Sequence, residues 1–299
     1  MTDLPSDSQS IGNQKQDSKP HFPTANATAI VLAAGKGTRM KSELPKVLFP
    51  VLGRPMIHWV LDALEQVGVR RTIVVVGYRA EDVKAELSKR AVRAGSLPIE
   101  FAVQDQQLGT GHAVQMCIPA LKESSVALAQ QAEGAREGKA GSAVEPVLVL
   151  AGDSPLVQAS SLSELLASFQ QGQYACLLGT LLKDNPEGLG RIVRDSSGQF
   201  TGIVEHKDAT PEQRAIREVN MSTYIFDKPR LLWALGELTD NNAQSEYYLT
   251  DCPSILRRAG DHVDAKATLK ACESLSINTI DELAMVENKM KELGYPCAS

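Results

Sequence analysis

No apolar stretch of this chain reaches membrane-spanning length, and no apolar core stands near its start, where residues 1–27 are rich in Ser, Gln, Asp and Pro. Neither a transmembrane helix nor a secretory leader is therefore expected, and residues 1–27 read as a disordered tail. Cysteine is scarce and odd in number, at 117, 176, 252, 272 and 297, with no pair at metal-ligand spacing. That excludes a disulfide framework or a thiolate metal site as the organising device and fits a reducing, cytoplasmic compartment. Basic residues do not predominate: Lys and Arg number 31 against 36 Asp and Glu, a net charge of −5. Such a balance gives no reason to expect wholesale nucleic-acid binding. A small anionic ligand depends on local charge instead.

What the 299 residues do hold, at 43% apolar composition, is enough for one large core or a core with a smaller lobe. Strand-like and helix-like stretches alternate. ATAIVLAAG runs into glycine, and GRPMIHWVLDALEQVG (53–68) reads as a helix with Pro55 in its first turn and Gly68 as its stop. RTIVVVGY (71–78), IEFAVQ (99–104) and PVLVLAGD (146–153) read as strands, EDVKAELSKRAVRAG (81–95) and GTGHAVQMCIPAL (109–121) as helices. Continuous apolar strands of this kind belong to a parallel sheet covered on both faces. The expected fold is α/β and doubly wound, with a Rossmann-like central sheet. Residues 122–145, rich in Ala, Gly, Glu and Lys, break the rhythm and read as a surface insertion. Beyond them, YACLLGTLL, LGRIVRD, FTGIVEHKD and NMSTYIF suggest a smaller mixed β lobe, followed by helices near 229–237, 247–258 and 280–294 and a strand near 262–270.

The first strand delivers LAAGKGTRMKSELPK (32–46), two glycines with three lysines and an arginine. Glycines let backbone N–H groups line a concavity beyond the carboxyl end of a strand, where open parallel sheets bind ligands. The Walker A pattern fails, since Met40 and not glycine precedes Lys41–Ser42, and the dinucleotide fingerprint lacks its third glycine. A phosphate loop of another kind remains, beside the alternative of an ordinary lysine-bearing surface turn. Arg39 offers a fork for a terminal phosphate and Lys46 a mobile point charge. Gln104, Gly109 and Thr110 lie at a strand end and helix start, where a carboxamide can match an imide edge and helix N–H groups add donors. Helix capping is the other reading of that cluster. His112 reads as structural. Asp153 ends the strand VLVLAGD, in position to hold a hard cation.

These stretches resemble the sugar-nucleotide pyrophosphorylases, nucleotidyltransferases that act on sugar 1-phosphates. The chain is more closely similar to the uridylyltransferase half of the bifunctional bacterial enzymes that make UDP-N-acetylglucosamine. The supporting segments run in family order from about 28 to 292: PKVLFPVLGRPMIHWVLDAL, QDQQLGTGHAV, VLVLAGDSPLV, GLGRIVRD, GIVEHKDAT, EVNMSTYIF, NNAQSEYYLTD and SINTIDELAMVE. QLGTGHAV together with EYYLTD is the most specific pairing. The resemblance implies nucleotide contacts from Leu32, Ala33, Ala34, Gly35, Lys36, Gly37, Thr38, Gln104, Gly109 and Thr110. It implies catalytic charges at Arg39 and Lys46, Mg²⁺ ligands at Asp153 and Asn278, and sugar contacts at Gly190, Glu205 and Asn220. Departures gather on the sugar side: Asn220–Met221–Ser222 where the family has NTG, Gln244–Ser245–Glu246 where it has QGE, and GLGRI for GYGRI.

The implied reaction is UTP plus N-acetylglucosamine 1-phosphate giving UDP-N-acetylglucosamine and pyrophosphate, with Mg²⁺ as cofactor. Another sugar 1-phosphate or another nucleotide is the alternative within enzymes. A catalytically inactive sugar-nucleotide-binding regulator, which would tolerate loss of Arg39, Lys46 or Asp153, is the alternative outside them. The hexapeptide repeats of an acetyltransferase β-helix do not occur, so no acetyl transfer is expected, and a monomer becomes the default because the family's trimer forms through that domain.

Overall fold

The structure is a computed structural model, and it describes residues 27–40, 42–90, 97–123 and 144–297. The expected tail (1–26) and most of the expected insertion (124–143) lie outside the described residues. Residue Ala27 belongs to the folded unit: it is buried, and its carbonyl accepts from the Arg70 N–H at 3.0 Å.

A nine-stranded mixed sheet forms the frame. Four strands run parallel in the order β6 (Pro146–Ala151), β1 (Thr28–Ala33), β4 (Arg71–Val76) and β5 (Ile99–Val103). The long strand β10 (Glu218–Asp227) then pairs antiparallel with β6 and with β7 (Cys176–Leu182), and β11 (Val263–Lys266) closes that edge parallel to β7. The hairpin β8 (Arg191–Arg194) and β9 (Phe200–Val204) branches from β10. A two-stranded ribbon, β2 (Pro50–Val51) with β3 (Arg54–Pro55), precedes the first helix.

Both faces of the sheet are covered, and the strands show why. Along β1, Ala29, Val31 and Ala33 enter one apolar cluster and Ile30 the other. The first cluster takes in α1 (Met56–Val67), α2 (Ala80–Ser88) and α4 (Ala159–Gly172) through Ile57, Leu61, Leu64, Val83, Leu87, Leu162, Leu165 and Phe169. The second takes in α3 (Thr110–Gln115), α6 (Lys228–Gly236) and α7 (Asp251–Arg258) through Val114, Leu231, Leu235, Cys252 and Leu256. Thr210 N-caps a short helix α5 (Pro211–Arg214) in the β9–β10 connection, and α8 (Ile280–Glu292) is the last helix of the described residues.

The α/β class, the parallel half and the two covered faces match the reading of the sequence. Helix α1 stops at Gly68 as expected but begins only at Met56, with Pro55 as its N-cap at the end of β3 and not in its first turn. Helix α2 ends at Ser88, earlier than the expected 95; residues 91–96 lie outside the described residues. Helix α4 went unread, although Leu162, Leu165, Leu166 and Phe169 have helical spacing. Among the described residues no helix is long and apolar enough to cross a membrane.

Candidate active site

Parallel register sets the site. Leu32 of β1 pairs with Ala151 of β6, Ala33 with Val76 of β4, and Val76 with Val103 of β5, so four strands end together at their carboxyl ends. The loops that follow begin at Ala34, Gln104 and Gly152. Strand β1 is also where the order reverses, with β4 on one side and the later β6 on the other, and such a switch point opens a crevice. A cavity of about 820 Å³ lies there. Leu32, Ala33, Ala34, Gly35, Arg39, Lys46, Gln104, Gly109, Thr110, Asp153, Asn220 and Asn278 all line it.

Four of these side chains meet. The Lys46 ammonium pairs with Asp153 Oδ2 and donates to Asn278 Oδ1 at 2.8 Å. Arg39 Nη2 donates to the same Asn278 oxygen at 2.9 Å. Asn278 is held in this sense by its neighbours: its Nδ2 donates to Ser276 Oγ at 3.2 Å, and its backbone N–H to Glu282 Oε2 at 2.6 Å. Next to it, Thr279 caps α8, its hydroxyl accepting from the Glu282 N–H. A third apolar cluster, with Met40, Val51, Trp59, Ile277, Val286 and Met290, packs α8 and the residue run before it against Met40, next to Arg39. Gly37 is required under Lys46. Its φ is +66°, and a Cβ there would lie 2.8 Å from Lys46 Cβ.

The metal expectation can be tested on these donors. A carboxylate and an amide carbonyl converge on one cationic group, so the two oxygens can share a cation, and both are the hard donors Mg²⁺ prefers. Among the described residues no group of three or more His, Cys, Asp or Glu could hold a metal alone. The pair fits a Mg²⁺ that completes its coordination with phosphate oxygens and water.

On the other side of the cavity, Gln104 is buried; its Nε2 donates to Gly109 O at 3.0 Å and meets His112 Nδ1 at 3.2 Å. His112 thus braces Gln104, in keeping with a structural part. The turn Gly109–Gly111 packs against the segment Glu246–Tyr247. Tyr247 N–H donates to Leu108 O at 2.8 Å, Gly111 N–H to Tyr247 O at 2.7 Å, and Leu249 N–H to Thr110 Oγ1 at 3.1 Å. A Cβ at Gly109 would stand 2.6 Å from the Tyr247 carbonyl. The two most specific stretches of the sequence, QLGTGHAV and EYYLTD, are therefore two sides of one contact.

The expected sugar contacts also gather. Asn220 N–H donates to Gly190 O at 2.9 Å, and a Cβ on Gly190 would lie 3.6 Å from Glu205 Oε1. Asn220 donates from Nδ2 to Tyr224 Oη at 2.7 Å. Glu205 accepts from the Thr250 hydroxyl at 3.0 Å, and burial raises its carboxyl above the ordinary value against that bond.

Five expected residues stand off the cavity lining. Lys36 lies with its ammonium 5.2 Å from the centre of the Tyr78 ring, a cation–π contact, and Gly37 lies under Lys46. Thr38 is exposed at the start of the short 3₁₀ turn Thr38–Met40. Gly190 and Glu205 form the layer behind Asn220. The reading of the sequence passed over Gln107, Lys183 and Glu282, which line the cavity, and named Ser222, which also lines it, only as a departure from the family pattern. Gln107 donates to Ala34 O at 2.7 Å and so ties the loops after β1 and β5 together. Its place in QDQQLGTG was the available signal; nothing local marks Lys183.

The family called MobA-like NTP transferase domain matches residues 29–181, just over half the chain, from β1 to β7. The chain belongs to that family. The chain is 44% identical over 264 residues to the bifunctional protein GlmU of Exiguobacterium sp. and 44% identical over 265 residues to that of Heliobacterium modesticaldum. The alignments cover 88% and 89% of this chain and 52% of each relative, so the chain spans about half the length of the curated relatives it matches. A solved UDP-glucose pyrophosphorylase complexed with UDP-glucose superposes with a TM-score of 0.66 at 16% identity, covering 89% of this chain and 99% of that one. That likeness is one of fold.

Proposed function

We propose that this MobA-like NTP transferase is a uridylyltransferase that moves UMP from UTP to N-acetylglucosamine 1-phosphate, forming UDP-N-acetylglucosamine and pyrophosphate. The observation that carries the reading is the meeting of Arg39, Lys46, Asp153 and Asn278 at the switch point. The likeness to GlmU proteins supports the choice of nucleotide and sugar.

Two phosphate compounds repel each other, so the site must neutralise charge and align them for in-line attack. The sugar phosphate is largely a dianion near neutral pH, its second pKa being about 6, and needs no general base. Its oxygen attacks the α-phosphorus of UTP, and the bond to the β-phosphate oxygen breaks, releasing pyrophosphate. Arg39, with backbone N–H groups of the Ala34–Thr38 loop, holds the β- and γ-phosphates. Lys46 leaves its carboxylate and amide partners to stand on the α-phosphate. A Mg²⁺ held by Asp153 and Asn278 would supply further charge neutralisation between the two substrates. Gln104 keeps its carbonyl oxygen for the imide N–H of uracil, its amine side being taken by Gly109 and His112. Asn220 orients the sugar hydroxyls, backed by Gly190 and Glu205.

A second reading keeps the chemistry and changes the sugar. It is favoured by the residues on the sugar wall, Leu189, Met221 and Ser222, which line the cavity and depart from the family pattern. One panel tests both: purified protein, UTP and Mg²⁺, with N-acetylglucosamine, glucosamine or glucose 1-phosphate, read by pyrophosphate release. Fastest turnover with N-acetylglucosamine 1-phosphate is expected. A preference for another sugar selects the second reading, and no release with any of them overturns both.

A further inference from the structure

Five residues other than glycine have left-handed backbone among the described residues: Leu52, Arg79, Gln173, Ser222 and Ser245. Only Ser222 lines the cavity. Its φ is +52°, a region glycine enters freely and a serine enters at a cost. The strain sits at an irregularity in the pairing of β10 with β7, between Asn220 and Thr223. There the Ser222 N–H turns back to donate to Asn220 Oδ1 at 3.2 Å. The Ser222 hydroxyl has no hydrogen-bond partner among the described residues, although the residue is only partly exposed. Asn220 and Met221 line the same wall. Local energetics thus favour glycine here, and the turn itself makes no use of the serine side chain.

We propose that Ser222 is a specificity-determining residue of the acceptor site, its hydroxyl hydrogen-bonding a hydroxyl or acylamino group of the sugar 1-phosphate and its β-carbon narrowing that side of the pocket. The inference rests on the sugar-phosphate reading of the cavity given above. Ser245 supplies the internal control. It has the same φ of +52° but is exposed and off the cavity, so its side chain has no ligand to meet.

The experiment compares Ser222→Gly, Ser222→Ala and Ser245→Gly with the parent chain in the pyrophosphate-release panel, with thermal midpoints alongside. Both glycine variants relieve backbone strain and keep or raise the midpoint. Loss of one neutral hydrogen bond corresponds to about a two- to tenfold effect, so both Ser222 variants raise KM for the preferred sugar 1-phosphate by that factor. KM for UTP stays at the parent value, and Ser222→Gly narrows the preference between sugars by accepting bulkier ones. Ser245→Gly keeps the parent kinetics. Parent-like sugar KM values in both Ser222 variants, with the parent active, overturn the inference alone. A parent that neither turns over nor binds any sugar 1-phosphate by calorimetry overturns the underlying reading and the inference with it.

Discussion

Lys46 and Asn278 stand 232 positions apart and meet at 2.8 Å. Lys46 stood out as a charge of the glycine-bearing loop, whereas Asn278 would not be singled out by its surroundings, where an asparagine before a helix is ordinary. Lys46→Ala is expected to lower kcat by at least about a hundredfold, the size of effect that removing one preorganised charge-stabilising group produces, while UTP affinity changes little. Single-turnover rates with equilibrium titration of UTP check it, and unchanged turnover removes Lys46 from the chemistry. The same ammonium also occupies the point on which Asp153 and Asn278 converge. Without nucleotide, Lys46→Ala should therefore bind Mn²⁺ more tightly than the parent, measured by electron paramagnetic resonance; equal or weaker binding would show that the lysine and the cation do not compete. Glu205 permits a pH test. Burial chiefly raises its carboxyl, with Asp208 and Asp251 adding to the effect and the Thr250 hydroxyl opposing it. The unfolded chain then gives up this proton first as pH rises, so the ionised group opposes folding from the ordinary carboxylate value upward. Glu205→Gln should gain more in thermal midpoint at pH 8 than at pH 4 while losing affinity for the sugar phosphate. A gain independent of pH would refute the assignment.

At the level of elements, the local signals were strong where one face of a helix or a whole strand is buried. Helix α1 showed both of its ends in Pro55 and Gly68, and the parallel strands showed themselves as apolar runs. What could not be read locally is the docking of Glu246–Tyr247 on the turn before α3. The glycines at 109 and 111 are compatible with any tight turn, and only the neighbouring backbone explains them. A Cβ on Gly111 would lie 2.6 Å from Leu238 Cδ1 and 2.8 Å from the Tyr247 carbonyl. Gly111→Ala is expected to cost about 1–3 kcal/mol by overpacking and to weaken UTP binding, because the strand-end loop loses its support. Urea unfolding and UTP titration measure the two effects. A variant as stable and as tight-binding as the parent would mean that this contact does not organise the nucleotide side.

For the whole molecule, the net charge of −5 says nothing of the site, because the three cations Arg39, Lys46 and Lys183 line the cavity where the strands end. The ligand would also bridge distant parts of the chain, the early loops and the start of α8. Binding to the folded state alone adds stability, about 2.7 kcal/mol at a hundredfold excess over Kd. UTP with Mg²⁺ should raise the thermal midpoint by several degrees. The part of that shift that needs Mg²⁺ should vanish in Asp153→Asn, which keeps the shape but loses the charge. A shift insensitive to Mg²⁺ in the parent would contradict the cation site.

The order of residues alone determined most of the alternation of strand and helix, the glycine-bearing loop after the first strand and the stop of the first helix at Gly68, because those depend on neighbours a few residues apart. It also carried a family pattern specific enough to nominate Asp153 and Asn278. Only the tertiary structure decided that their oxygens face one point, that Lys46 stands on it, that Lys36 turns away to Tyr78, and that Ser222 bears its strain on the cavity wall. Those are matters of sheet register and of packing between segments far apart in the chain, for which a local pattern holds no record.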